Sequence, residues 1–192
     1  MEKIILFDGT DLSHFTNLDG SPAQWEVKDG IMTVTHGNIM SKETYGDAHI
    51  HVEWREPDMP EATGQWKGNS GVYIQGCYEL QVLDSYGIAE PKYDDCGGIY
   101  SIQAPLTNAC KPALEWQTYD IILRAAKLDE NGKVLSHAVV TILQNGQVIH
   151  NNFTLPSNTP GGVYDHIVAE GPLMLQDHGN PVSFRNIWIQ KL

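Results

Sequence analysis

Three side chains in the segment YELQVLDSY, residues 78–86, have types and spacing that suit acid–base chemistry: Glu79, Gln81 and Asp84. Side chains alternate between the two faces of a β-strand, so Glu79 and Gln81 share one face and the apolar residues between them share the other. A carboxylate beside an amide, with a second acid three residues later, predicts the polar floor of a groove. The alternative for Asp84 is a purely local role, in which it starts the turn at Ser85–Gly87.

A second polar face is predicted on the segment DAHIHVEWR, residues 47–55, which alternates without interruption. It carries Glu53 and Arg55. If this face lines the groove, both residues are candidates for substrate contact. If it is ordinary surface, they form an exposed ion pair that contributes about 0–1 kcal/mol to stability.

Other candidates for substrate contact lie near Glu79 in the sequence. Tyr73 and Gln75 share the polar face of the preceding predicted strand, and Asn69 belongs to a GNSG turn. His178 lies in the tight turn LQDHGNP, where Asp177 can cap backbone amides. We expect His178 to be a proton donor or acceptor in the site.

Aromatic side chains divide into two predicted groups. Trp66 and Trp116 lie at loops or strand starts, where a ring can stack on a sugar, and we favour Trp116 as a groove wall. Trp25, Trp54 and Trp188 lie in strongly alternating strands and are predicted to be buried.

Metal binding is left open by the sequence. His49 and His51 share a strand face and have suitable chemistry, but no third ligand is fixed. Loop acids such as Asp94 and Asp95 would suit a hard cation such as Ca²⁺. No cofactor is certain, and a divalent metal is one candidate.

The elements that must position these residues are strands. Asp29-Gly30 and Asn145-Gly146 each separate two short alternating runs, which predicts two hairpins. Further strands are predicted across 71–82, 116–125 and 181–192, and no helix is indicated. Strands with one apolar and one polar face form two packed antiparallel sheets, so we predict one all-β jelly-roll sandwich domain over residues 1–192.

Composition limits the partners and the cell compartment. The formal charge of −12 and pI of about 4.9 disfavour nucleic acid and anionic membranes, so a neutral partner such as carbohydrate fits better. No membrane-spanning run is present, and the N-terminal MEKIILFDG lacks a signal-peptide core. Cys77, Cys96 and Cys110 permit at most one disulfide. These features leave localisation and oligomeric state undecided.

Several motifs in order resemble the 3-keto-disaccharide hydrolase domain family, formerly called a domain of unknown function. They are LFDGTDLSHF, GNSGVYIQGCYELQVLDSYG, GGIYSIQAP, EWQTYDI, QNGQVI and EGPLMLQDHGNPVSFRNIWI, which together extend over nearly the whole chain. The resemblance implies a concanavalin-like jelly roll, activity on glycosides oxidised at C3, and a periplasmic or extracellular location in glycan-degrading bacteria.

The fold that this resemblance implies is similar to that of laminarinases and lichenases, whose strand motif carries Glu, Asp and Glu at i, i+2 and, after a bulge, i+5. Here the same spacing holds Glu79, Gln81 and Asp84. A retaining glycosidase needs two carboxyl groups about 5–5.5 Å apart, and shortening the second acid by one methylene can cost on the order of 100-fold in rate. Ordinary double displacement is therefore disfavoured.

A 3-keto sugar requires less of the enzyme, because the C3 carbonyl acidifies the C2 hydrogen. One base can remove that proton, and the C1 oxygen then leaves by elimination. We expect Glu79 to be the base, His178 or Asp84 the acid, and Arg55 or a divalent metal the enolate stabiliser. The alternatives are a non-catalytic carbohydrate-binding (lectin-like) module and a structural or partner-binding sandwich.

Overall fold

The computed structural model of the chain describes residues 3–192. Within that range the regular elements are strands, apart from one 3-10 turn at Gly64–Trp66. The strands are β1 (Lys3–Phe7), β2 (Phe15–Asn17), β3 (Glu26–Lys28), β4 (Ile31–Thr33), β5 (Ile39–Tyr45), β6 (Ala48–Arg55), β7 (Ser70–Ile74), β8 (Tyr78–Val82), β9 (Gln117–Arg124), β10 (Lys127–Leu128), β11 (Val134–Ser136), β12 (Val139–Gln144), β13 (Gln147–Thr154), β14 (Gly171–Leu175) and β15 (Ser183–Lys191).

These strands form two main antiparallel sheets. The larger sheet has eight strands in the order β13-β12-β9-β6-β15-β4-β3, and β1 also pairs with β15. The smaller sheet has five strands in the order β2-β5-β14-β7-β8. A separate ribbon of β10 and β11 carries the charged LDENGK segment at its tip. The predicted all-β jelly-roll sandwich is confirmed.

The core lies between the two sheets because the apolar positions of each strand fall on one face. Ala48, Ile50, Val52 and Trp54 of β6 are each 0% exposed, whereas the residues between them are only partly buried. Each large aliphatic or aromatic side chain buried in this way contributes about 1.5–3 kcal/mol to the stability of the folded state. On β8 the same alternation turns Leu80 into the core and leaves Glu79 on the outer face.

The two predicted hairpins are confirmed, and their turn residues explain their shape. Asp29 and Gly30 connect β3 to β4 with φ of 53° and 77°, and Asn145 and Gly146 connect β12 to β13 with φ of 51° and 79°. Positive φ at both positions is characteristic of a type I′ turn, whose twist matches that of the strands.

One prediction about burial is wrong. Trp188 is only half-buried, on the outer face of the larger sheet, where its ring stacks on His51 with centroids 5.1 Å apart. Ile187 and Ile189 point inward instead, because the pairing of β15 with β6 is irregular between Arg185 and Trp188. Trp25 and Trp54 are buried as predicted. No helix within residues 3–192 is long and apolar enough to cross a membrane.

Candidate active site

A pocket of about 140 Å³ opens on the outer face of the smaller sheet, over β7 and β8. This volume is below the roughly 300 Å³ at which drug-sized ligand sites begin, so the pocket suits one small ring better than a long chain. Its lining is mostly polar and comprises Gln65, Asn69, Tyr73, Glu79, Gln81, Tyr100, Pro160, Gly161, Gln176 and His178.

The floor of the pocket comes from strand alternation. Tyr73 on β7 and Glu79 on β8 are directly opposed across the strand pair. Their neighbours Val72 and Leu80 are fully buried in the core, so Tyr73 and Glu79 must face outward. Gln81 follows two residues later on the same face as Glu79.

Loops build the walls. The segment that carries Tyr100 runs along β8, because Gln81 N donates to Gly98 O at 2.9 Å and Tyr100 N donates to Glu79 O at 3.1 Å. The loop after β13 contributes Pro160 and Gly161, and the turn after β14 contributes His178. These connections fall within the long loops or turns of the sequence, where functional residues concentrate.

Glu79 has the electrostatics of a general base. Glu79 is 5% exposed, and burial raises the pKa of its carboxyl to about 7. Within residues 3–192 no cationic side chain pairs with this carboxylate. A carboxylate with a pKa near 7 and no counter-ion is well suited to accept a proton at neutral pH.

The absence of a side chain at Gly71 leaves room for the Glu79 carboxylate. A Cβ atom at this position would lie 2.6 Å from Glu79 Oε1 and 3.0 Å from Tyr73 Cε2. Gly71 has no positive φ, so its backbone conformation does not itself require glycine. The requirement is steric and comes from the two pocket residues.

Tyr73 is held in place by two hydrogen bonds. Its Oη donates to Pro160 O at 3.0 Å and accepts from Gln176 Nε2 at 3.2 Å. Burial, and then the charge of Glu79, raise the pKa of Tyr73 far above its ordinary value. The side chain is therefore neutral and acts as a rigid wall of the pocket.

Tyr100 presents a second phenol near Glu79. Burial, followed by the charges of Glu79 and Asp94, raises the pKa of Tyr100 above its ordinary value. The hydroxyl stays protonated at neutral pH and can donate a hydrogen bond.

Three amide side chains of the pocket have carbonyl oxygens without a donor among residues 3–192: Asn69 Oδ1, Gln81 Oε1 and Gln176 Oε1. Their nitrogens are already engaged. Asn69 Nδ2 donates to Gln65 O at 2.8 Å, and Gln81 Nε2 donates to Gln65 Oε1 at 2.9 Å. Because Gln65 O is a backbone carbonyl, which can only accept, the orientation of the Asn69 amide is fixed. Buried acceptors rarely lack a partner, so the polar network beneath the pocket is incomplete at these three oxygens.

His178 lies at the exposed rim of the pocket. Its turn is tied down by Asp177, whose Oδ1 accepts from Gly179 N at 2.8 Å and whose Oδ2 accepts from Gly37 N at 2.8 Å. The next polar residue, Asn180, accepts from Asn69 N at 2.8 Å and so links this turn to the pocket wall.

Asp84 does not lie in the pocket, contrary to the sequence expectation. Regular alternation turns Asp84 inward with Leu80 and Val82, and only a bulge would bring it to the outer face. The pairing of β7 with β8 is regular and β8 ends at Val82, so Asp84 is not placed beside Glu79. The Asp84 carboxylate pairs instead with Lys67 Nζ at 3.0 Å. The glucanase-like pair of acids is therefore not assembled.

Gln75 is also placed elsewhere. It lies in the turn between β7 and β8, with φ of 53°, and is 0% exposed. Its Nε2 donates to Tyr45 O at 2.9 Å and to Ala169 O at 3.0 Å. This side chain fastens the turn to neighbouring backbone and does not line the pocket.

Glu53, Arg55 and Trp116 belong to the opposite side of the sandwich, on the outer face of the larger sheet. Glu53 Oε2 accepts from Arg185 Nε at 2.6 Å, so its ion-pair partner is Arg185 and not Arg55. The guanidinium carbons of Arg55 and Arg185 lie 4.9 Å and 4.0 Å from the centre of the Trp116 ring. Contrary to the expectation that they would line the groove, these three residues lie away from the pocket over β7 and β8, because β6 and β9 belong to the larger sheet.

The residues considered for metal binding make other contacts. Asp120 Oδ1 accepts from His51 Nδ1 at 2.8 Å and lies 3.2 Å from His49 Nε2. Asp95 Oδ2 accepts from Lys92 N at 2.8 Å. Across residues 3–192, no group of three or more His, Cys, Asp or Glu side chains is arranged to hold a metal ion.

Sequence reasoning did not single out Gln65, Tyr100, Gly161 or Gln176. Tyr100 and Gln176 lie in GGIYSIQAP and LQDHGNP, two motifs of the family resemblance, and that was the available signal. Loop conformation decides their position, and strand alternation gives no information about it.

Comparison with known proteins identifies the family. The family model of the 3-keto-alpha-glucoside-1,2-lyase-like domain matches residues 2–190. The chain belongs to this family. No curated protein matches the chain.

Several solved structures share the fold of this chain. A "putative glycosyl hydrolase" from Parabacteroides distasonis ATCC 8503 is 41% identical with a TM-score of 0.91, over 99% of this chain and 84% of that one. Another protein of the same description and organism is 20% identical with a TM-score of 0.74, over 99% and 94%. The carbohydrate-binding module CBM66 from Bacillus subtilis is 12% identical with a TM-score of 0.52, over 91% and 93%, and shares the fold alone.

Proposed function

We propose that this chain cleaves glycosides whose sugar carries a carbonyl at C3, with Glu79 as the general base. The observation that carries the proposal is the state of Glu79, a buried carboxylate with a pKa of about 7 and no cationic partner within residues 3–192, in a pocket the size of one ring. The family supports the substrate class, and the 41% identical relative supports glycoside cleavage.

The reaction begins at C2 of the oxidised sugar. Glu79 takes the C2 proton, and the electrons of that C–H bond form an enolate across C2, C3 and the C3 oxygen. The enolate expels the glycosidic oxygen from C1, so that a C1–C2 double bond forms as the C1–O bond breaks. The leaving oxygen takes a proton from His178. Addition of water across the double bond then completes a net hydrolysis.

The remaining pocket residues stabilise and position the sugar. The Tyr100 hydroxyl donates to the developing enolate oxygen, a role in which it replaces Arg55 of the sequence-based hypothesis. Asn69, Gln81 and Gln176 line the pocket and give it polar walls that suit the ring hydroxyl groups of a sugar. A site built for hydroxyl groups in this way rejects analogues that lack them.

The leaving group extends out of the pocket. Trp66 is 73% exposed and follows Gln65, which lines the pocket. The exposed indole ring of this neighbouring residue offers a stacking surface for a second sugar or an aromatic aglycone.

The test is incubation with chemically prepared 3-keto-glucosides and their unoxidised parents, with and without a chelator, followed by product analysis. We expect turnover of the keto substrates only. In the Glu79→Gln variant we expect a 100- to 10,000-fold loss of turnover with sugar affinity largely retained. Turnover of the parent glycosides alone would instead indicate double displacement. Binding without turnover of any substrate would indicate a carbohydrate-binding module.

A further inference from the structure

Cys96 and Cys110 lie together although 13 residues separate them in the sequence. Gln144 Nε2 donates to Cys96 Sγ at 3.5 Å and to Cys110 Sγ at 3.3 Å, so both sulfurs contact one nitrogen. Cys77 lies in the turn between β7 and β8, where its carbonyl accepts from Thr159 N at 2.9 Å. All three cysteines are free thiols in this structure.

We propose that Cys96 and Cys110 form a disulfide bond when the protein meets an oxidising thiol–disulfide pool, and that this bond fixes the segment between them against β8. The sequence permits one disulfide among three cysteines, and the shared contact with Gln144 selects the pair. The co-reactant is a low-molecular-weight disulfide such as oxidised glutathione.

Exchange begins at Cys110, which is partly exposed, whereas Cys96 is 1% exposed. The Cys110 thiolate attacks one sulfur of the small disulfide, the S–S bond breaks, and the first small thiol leaves with the proton lost by Cys110. The Cys96 thiolate then attacks the Cys110 sulfur of the mixed disulfide. The second small thiol leaves with the proton of Cys96, so two protein thiols are oxidised and one small disulfide is reduced.

The second step limits the rate. Burial, and then the nearby Cys110, raise the pKa of the Cys96 thiol well above its ordinary value. Few Cys96 side chains are thiolates at neutral pH, so crosslinking is slow there and becomes faster as the pH rises.

The consequence of the crosslink is local to the pocket. The segment between the two cysteines includes Tyr100, which lines the pocket, and Gly97, whose N donates to Gln81 O at 3.0 Å. Closing a loop of about 15 residues restricts the unfolded chain, and we expect the melting temperature to rise by roughly 5–10 °C.

The test uses the full-length folded protein in oxidised or reduced glutathione, followed by alkylation after denaturation and peptide mass mapping. We expect a single Cys96–Cys110 crosslink in the oxidised sample, with Cys77 alkylated. Cys110→Ser abolishes both the crosslink and the gain in melting temperature, whereas the control Cys77→Ala keeps both. Three alkylated thiols in the oxidised wild-type protein, or a crosslink that includes Cys77, would overturn the proposal. Neither readout depends on enzymatic activity.

Discussion

On the outer face of the larger sheet, polar side chains bind one another. Asp120 accepts from His51, and Glu53 accepts from Arg185 at 2.6 Å and from Asn186 at 2.7 Å. On the outer face of the smaller sheet, Glu79 has no cationic partner among residues 3–192, and the three pocket amides described above have oxygens without a donor.

The two faces therefore differ in their capacity to bind a ligand. Satisfied polar groups stabilise the surface on which they lie and leave little capacity for a ligand. Unsatisfied buried groups cost stability, and in native structures they are explained by strain, by bound water or an ion, or by a functional role. The pKa values follow the same division: hydrogen bonds from His51 lower the pKa of Asp120, while burial raises that of Glu79.

The largest expected effect comes from a substitution that displaces the Glu79 carboxylate but leaves its chemical type unchanged. In Gly71→Ala the new Cβ would lie 2.6 Å from Glu79 Oε1, so the carboxylate must move. We expect turnover of a 3-keto-glucoside to fall on the order of 100-fold, because catalytic geometry tolerates little displacement. The control is Gly46→Ala, whose nearest contact would be an ordinary 3.6 Å and whose turnover should equal that of wild type. Equal turnover by Gly71→Ala and Gly46→Ala would indicate that the position of the Glu79 carboxylate does not determine the rate.

A stability measurement across pH provides the second comparison. Because the folded pKa of Glu79 is raised to about 7 from 4.5, the native state holds a proton that the unfolded state has lost between these values. Native stability therefore falls as the pH rises through this window. Glu79→Gln removes that loss, so we expect it to be more stable than wild type by about 1–3 kcal/mol at pH 8, with a smaller difference at pH 4. Denaturant titrations at both pH values measure this difference, and a pH-independent difference would contradict the assigned pKa.

Substitutions on the outer face of the larger sheet should have the smallest effect on turnover and stability. Arg185→Met removes the ion pair with Glu53 and the contact with Trp116, which together contribute about 1 kcal/mol to stability. We expect the denaturation midpoint to fall slightly while turnover is unchanged. Arg124→Met, which loses only a 3.5 Å contact with Asn152, is the matched control. A large loss of turnover in Arg185→Met alone would place functional chemistry on the larger sheet.

Much of the fold was predictable because alternation and turn chemistry are local properties. The Asp29-Gly30 and Asn145-Gly146 turns specify their hairpins, and the alternation of β8 places Glu79 outside and Leu80 inside. Asp84 was different, because an outward position required a bulge after Gln81, and the strand instead pairs regularly and ends at Val82.

The assignment of strands to sheets was not predictable in this way. Both sheets have a polar outer face, and the alternation of β6 resembles that of β8, so nothing local separates Glu53 from Glu79. The pairing of β6 with β9 and β15 places Glu53 on the larger sheet, and this pairing depends on contacts between residues distant in sequence. The pocket walls at Tyr100 and Gln176 depend on loop paths for the same reason.

The central claim is that Glu79 removes the C2 proton of a 3-keto sugar. Its most direct test is NMR measurement of hydrogen–deuterium exchange at C2 of a non-cleavable 3-keto sugar in D₂O, with wild type and with Glu79→Gln. We predict exchange that increases with pH through about 7 in wild type and falls to the uncatalysed rate in the variant. Wild-type rates of exchange in Glu79→Gln would contradict the account.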